Sequence, residues 1–302
     1  MWFWLSLIAL LCWSGSDLFS KIGCRDADDK YSHLKMVIAV GTVMGLHAAF
    51  EIFVGGTEIS WDVIWTYLPV SLLYIGSMTL GYLGLRYIEL SVSSPICNSS
   101  GALVAVLTLL FVGTEDYTPL AYLAIALVCC GAIGLGVVDA REDPELRAAR
   151  QAEGNYKYAK SFLALALPVA YCLLDAAGTF ADNRVLETLN EDSANCAYEL
   201  TFLAAAVVCF VYVVLIRKDR LLPRLEGPKY LGAVCETAGQ FAYIYAIADT
   251  SHLAMSAPII SSYCAASVLW SRLFLKEKLS WKHYGMIGLI VIGIALMGML
   301  DL

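Results

Sequence analysis

Acidic residues set inside apolar sequence are the first chemistry this chain offers. Asp17 and Lys21 stand four apart in the run WFWLSLIALLCWSGSDLFSKIG, and Trp13 lies four before Asp17, so all three share one helix face. Two readings of the pair stand. It is either an Asp–Lys pair neutralised near a membrane surface, with Lys21 snorkelling from the end of its run, or part of a site for a charged substrate or ion. The pattern returns at an offset of 158, where Tyr171 matches Trp13 and Asp175 matches Asp17, but Thr179 stands in the place of Lys21. An ion pair within the helix therefore cannot account for Asp175. It faces a cavity or bonds to a neighbouring helix. We expect Asp175 to be the acid that binds a proton or cation, and Asp17 to be held by Lys21.

Glu236, Gln240 and Tyr243 share one face of a later run, with Gly239 beside them to let another helix approach. Glu236 either reaches that cavity or is solvated near a basic loop. Pro95 and Pro258 each free a backbone carbonyl, and Asn98, Ser99 and Ser100, or Ser261, Ser262 and Tyr263, follow within about a turn. Matched helix interruptions in two halves point to a binding site at mid-membrane; prolines that simply start a helix are the other reading. The rings of Trp13, Tyr171, Tyr243 and Tyr263 offer faces to an ammonium group. The expected substrate-binding set is thus Trp13, Asp17, Asn98, Tyr171, Asp175, Glu236, Gln240, Tyr243 and Tyr263, with Asp17, Lys21 and Asp175 coupling an ion. His47 with Glu51, and Tyr198 with Glu199, are weaker candidates. Arg86 and Glu89 read as solvated span ends.

The elements that must position these groups are membrane helices. Of 302 residues, 59% are hydrophobic and only 16% charged, with mean hydropathy +0.68; a soluble domain carries roughly 25% charged residues. Apolar runs reach the ~20 residues that cross ~30 Å of hydrocarbon, and strand alternation is absent. Ten spans are predicted, near 2–22, 34–54, 65–87, 92–112, 119–139, 160–182, 196–216, 229–248, 253–274 and 282–300. The ten cysteines lie mostly inside these runs without zinc-like spacing, which argues against a disulfide framework and against a metal site. The opening residues lack the basic start of a cleavable signal peptide. A net charge of −7 argues against nucleic acid as a partner.

The chain repeats itself. At an offset of 163, Tyr82 matches Tyr245, Pro95 matches Pro258, Ser99 matches Ser262 and Phe111 matches Phe274; at 162, Glu115 matches Glu277, Tyr122 matches Tyr284, Gly131 matches Gly293 and Gly136 matches Gly298. Residues 1–140 and 160–302 are read as two five-helix repeats joined by a cytoplasmic linker, 141–159. Five is odd, so the second repeat enters from the opposite side and the two are inverted. Charge agrees: Arg25, Lys30, Arg141, Arg147, Arg150, Lys157, Arg217, Lys218, Arg220, Arg224, Lys276 and Lys278 fall on one face and only Arg184 on the other, which makes the first face cytoplasmic and places both termini outside.

The segments RYIELSVSSPICNSS and AIADTSHLAMSAPIISS, each followed by a Phe-ending span, a Glu-containing turn and a glycine-bearing last span, resemble the paired repeats of the EamA-like branch of the drug/metabolite transporter superfamily. The opening CWSGSDLFSKIG resembles that family's first helix, whereas the turn GTEDYT departs from its usual Leu-Gly-Glu-Arg-like run. The resemblance implies a ten-helix alternating-access carrier and leaves the substrate open. Paired prolines and unpaired acids favour a secondary carrier of a small amine or amino acid, proton-coupled in its simplest form, in a plasma membrane (the inner membrane of a Gram-negative cell) as a monomer or homodimer. A receptor or scaffold is the alternative. An intramembrane enzyme would need a constellation such as HExxH or GxSxG, which four scattered histidines and the remaining sequence do not supply. No cofactor-binding motif is present.

Overall fold

The computed structural model describes residues 1–26, 29–112, 117–141, 162–277 and 279–300, with the backbone alone at 139–140 and 162–165. The expected linker beyond Arg141, the first four residues of the GTEDYT turn and Lys278 lie outside them. Among the described residues the regular structure is helical, without strands.

The first half runs α1 (Trp2–Cys24), α2 (Ser32–Phe50, prolonged by a π-helical turn, Glu51–Gly55), α3 (Trp61–Tyr87), α4 (Leu90–Cys97), α5 (Ser100–Phe111) and α6 (Pro119–Ala140). The second half runs α7 (Phe162–Leu186), α8 (Glu191–Phe210, prolonged by a π-helical turn, Val211–Ile216), α9 (Pro223–Ala248), α10 (Leu253–Ser261), α11 (Tyr263–Phe274) and α12 (Trp281–Leu300). Counting α4–α5 as one rod, and α10–α11 with the short Thr250–His252 turn as another, eight helices among the described residues are long and apolar enough to cross a membrane. α7 and α9, at 25 and 26 residues, match them in length.

Local sequence sets the ends. Ser60 caps α3 by accepting from the Val63 amide, Asn190 caps α8 by accepting from Asp192 and Ser193, and Pro223 opens α9, where a missing N–H costs nothing. Gly56, at φ 78°, ends the first π-helical turn in the left-handed region.

Burial is inverted relative to a soluble protein. On α1 the hydroxyls of Ser6, Ser14, Ser16 and Ser20 point inward while Trp4, Ile8 and Leu11 lie on the outside, and exposed apolar residues such as Leu46, Leu72, Val208, Leu273 and Val291 continue that surface on other helices. A contiguous apolar exterior around a partly polar interior is stable only in lipid. This is a multi-pass membrane protein.

α1 packs along α9, α3 along α7, α2 along α8, and α6 along α12. Both interrupted rods are central. Pro95 and Pro258 lie inside α4 and α10 rather than at their starts, and the breaks follow at Asn98–Ser99 and at Ser262. Gly101, just after the first break, sits on the last turn of α10: a Cβ there would stand 2.5 Å from the Ser261 Cβ and 2.8 Å from the Ala257 carbonyl. The two breaks therefore cross each other closely.

Candidate functional site

The helix breaks border a central cavity of about 70 Å³, several times the space one water requires. Trp13, Asp17, Asn98, Tyr171, Asp175, Glu236, Gln240, Tyr243 and Tyr263 all line it. Every residue expected to bind substrate thus faces one space, contributed by α1, α4, α7, α9 and α11. Lys21 is not among the lining residues.

Small residues let the rings in. The Trp13 indole lies on Gly239 of α9 and donates to the Glu236 carbonyl at 3.3 Å, 4.9 Å from the Tyr243 ring centre. Tyr171 lies on Gly81 of α3 in the same way.

The three cavity acids are held differently. Asp17 accepts from Ser94 Oγ at 2.5 Å and Ser267 Oγ at 2.8 Å; the Asn98 amide, donating to Ser94 O at 2.8 Å and Ser94 Oγ at 3.1 Å, fixes that serine. Among the described residues Asp175 accepts a single side-chain bond, from Ser100 Oγ at 2.7 Å. The reason is visible in the repeat: Ala257 and Val104 stand where offset 163 pairs Ser94 and Ser267, so the hydroxyls that hold Asp17 have no counterparts around Asp175. Glu236 is bonded by Ser16.

The expected Asp17–Lys21 pair is corrected. Lys21 Nζ donates instead to the carbonyls of Leu85, at 2.7 Å, and Ile88, at 2.6 Å. The carbonyls at the C-terminus of α3 lack helical donors, and a flexible ammonium one turn beyond Asp17 reaches them readily. Arg86 and Glu89 are buried, not solvated: Arg86 donates to Ser32 Oγ at 3.0 Å and to the Asp29 carbonyl. Below them Asp29 joins Lys35 at 2.8 Å and Lys229 at 2.9 Å, all three nearly inaccessible. Burial opposes the Asp29 charge, but hydrogen bonds from Lys35 and Lys229 outweigh it and hold the carboxyl below its ordinary range. Arg86, which bonds to the Asp29 carbonyl, directly follows Leu85, and Leu85 lines the cavity with Ser20 and Ser93. His47 pairs with Glu199 at 2.9 Å, joining α2 to α8, and Tyr198 lines the cavity.

Residues 165–299 match the EamA-like transporter family. That part of the chain is EamA-like. It supplies Asp175, Glu236, Gln240, Tyr243 and Tyr263, while Trp13, Asp17 and Asn98 come from the first half. The match supports a membrane transporter in general. A solved structure, described only as a crystal structure of a protein, aligns over 98% of this chain and 96% of its own with a TM-score of 0.63 at 15% identity. At that identity the likeness shows the fold alone. No curated protein matches the sequence.

Beside the cavity lies a group that the sequence reading missed. Asp182 of α7, wholly buried, accepts from Tyr67 OH at 2.6 Å and Tyr74 OH at 3.3 Å; Tyr74 bonds Tyr243 OH and Thr179 Oγ1, and Tyr243 donates to Thr179 at 3.1 Å. Seven residues, close to two helical turns, separate Asp182 from Asp175. That spacing was the available signal, and Thr179 between them bonds to Tyr74 and Tyr243, two of the tyrosines that line the cavity.

Proposed function

We propose that the protein is a secondary carrier of small organic amines that works by alternating access, with its chain crossing the membrane ten times as two inverted five-helix repeats. One observation carries the reading: acids and aromatic rings from both halves meet in a single cavity at the crossing of two interrupted helices. Exchange of the halves turns the α1–α9 contact into α7–α3 and maps α2–α8 and α6–α12 onto themselves. That pattern supports a pseudo-twofold axis through the site. The buried cluster of Asp29, Lys35, Lys229 and Arg86 closes the basic side below the cavity, as one gate of such a cycle requires.

Coupling to protons follows from Asp175, the acid with the fewest bonds to the protein among the two related by repeat. A carboxyl that must exchange its counterion cannot be locked by fixed donors. The basic surface is cytoplasmic in this scheme, and the plasma membrane is the site of action. Uptake of labelled amines into proteoliposomes under an imposed proton gradient tests the reading. Protein-dependent accumulation supports it; binding without flux would make the protein a receptor.

A further inference from the structure

The amine reading leaves the number of charges on the substrate open. Asp17, Asp175 and Glu236 face one small cavity, and among the described residues that line it there is no Lys, Arg or His. Three carboxyl groups in a low-dielectric space repel one another, and no side chain of the cavity compensates them. Lys21, the nearest cation in sequence, is turned to the carbonyls of Leu85 and Ile88.

Two neutral groups point to a ligand independently of the acids. Gln240, 3% exposed, has a buried Nε2 without a hydrogen-bond partner, and Tyr82, 6% exposed, has a buried hydroxyl without one; both line the cavity. Buried polar atoms of this kind are satisfied by water or by a ligand. The amide of Gln240 and the hydroxyl of Tyr82 each carry an oxygen that can accept from an ammonium group.

We infer that the cavity binds an organic dication, an aliphatic diamine, one ammonium against Asp17 or Asp175 and the other against Glu236, with Gln240 and Tyr82 accepting remaining N–H bonds. An amino acid fits less well, because its carboxylate would enter a space that holds three carboxyl groups and no basic side chain. A monoamine leaves more of the acidic charge unmatched. The inference rests on the carrier reading only for the word substrate; as a statement about binding it stands without transport.

The test compares putrescine with butylamine, which has the same carbon chain and one ammonium fewer. Dissociation constants are measured by calorimetry on the full-length protein in detergent, for wild type and for Glu236→Gln, Asp17→Asn and Asp175→Asn. We expect putrescine to bind wild type at least about tenfold more tightly than butylamine, and at least one amide variant to bring the ratio close to one. Equal binding of the two amines by wild type, or a ratio that survives all three variants, overturns the inference. Proteoliposome uptake separates it from the carrier reading. A diamine preference in binding without flux of either amine keeps the dication site and removes the carrier; butylamine flux without a diamine preference does the reverse.

Discussion

The indole of Trp13 rests on the bare backbone of Gly239, where a Cβ would overlap the ring at Cδ1. The offset of 158 that relates Asp17 to Asp175 also relates Trp13 to Tyr171 and Gly81 to Gly239, and Tyr171 rests on Gly81 with a built Cβ 2.9 Å from its ring. One ring-on-glycine contact occurs on each side of the cavity, one turn from each aspartate.

Filling either glycine should therefore damage binding more than the same substitution would at a helical glycine with open space around it. Gly239→Val and Gly81→Val each have to push an aromatic ring off its seat, and overpacking of this kind costs about 1–3 kcal/mol. Thermal midpoints and amine affinity should both fall. Gly285→Val, at a position with open space around its Cβ, is the control and should leave both unchanged.

Asp29 should be a pH-dependent pin. Its folded value lies below its unfolded one, about 3.9, so the stabilisation is fully present above about pH 4 and is lost as pH falls through the folded value. Asp29→Asn leaves the buried ammonium groups of Lys35 and Lys229 with only their longer pairs, 3.4 Å to Asp219 and to Glu226, a change that costs up to about 3–5 kcal/mol. Melting curves from neutral pH downward should show a large difference between variant and wild type at pH 7 that narrows below about pH 4. A variant as stable as wild type at pH 7 would show that the cluster is held by other contacts.

Topology can be read by chemical labelling. In a background without reactive native thiols, cysteines placed at 142–156 and 218–226 should react from the cytoplasm, and those at 187–192 from outside. Reaction of both sets from one side would refute the inverted repeats.

Helical periodicity and the internal repeat made much of the site legible, because Trp13, Asp17, Tyr171 and Asp175 occupy corresponding faces of α1 and α7, and Glu236, Gln240 and Tyr243 one face of α9. What periodicity lacks is the choice of partner. The four-residue spacing put Lys21 beside Asp17, but a lysine is long enough to prefer the open carbonyls of α3, and the hydroxyls of Ser94 and Ser267 that replaced it come from helices 77 and 250 residues away. Asp182 was missed for a different reason. The sixth span was expected to stop at 182, whereas α7 continues to Leu186 and carries Asp182 into the interior. Pro95 and Pro258 could be read as helix starts because each lies only five residues into its helix.

The most direct measurement of the mechanism is the pH profile of amine uptake by Asp175→Asn beside wild type, in proteoliposomes from about pH 5 to about pH 8. The amide keeps the shape of the side chain and its contact with Ser100 while removing the charge and the titration. The account predicts a folded protein, with a thermal midpoint close to wild type, that has lost uptake or its dependence on pH. Normal uptake with the wild-type profile would contradict it and make Asp175 a structural residue.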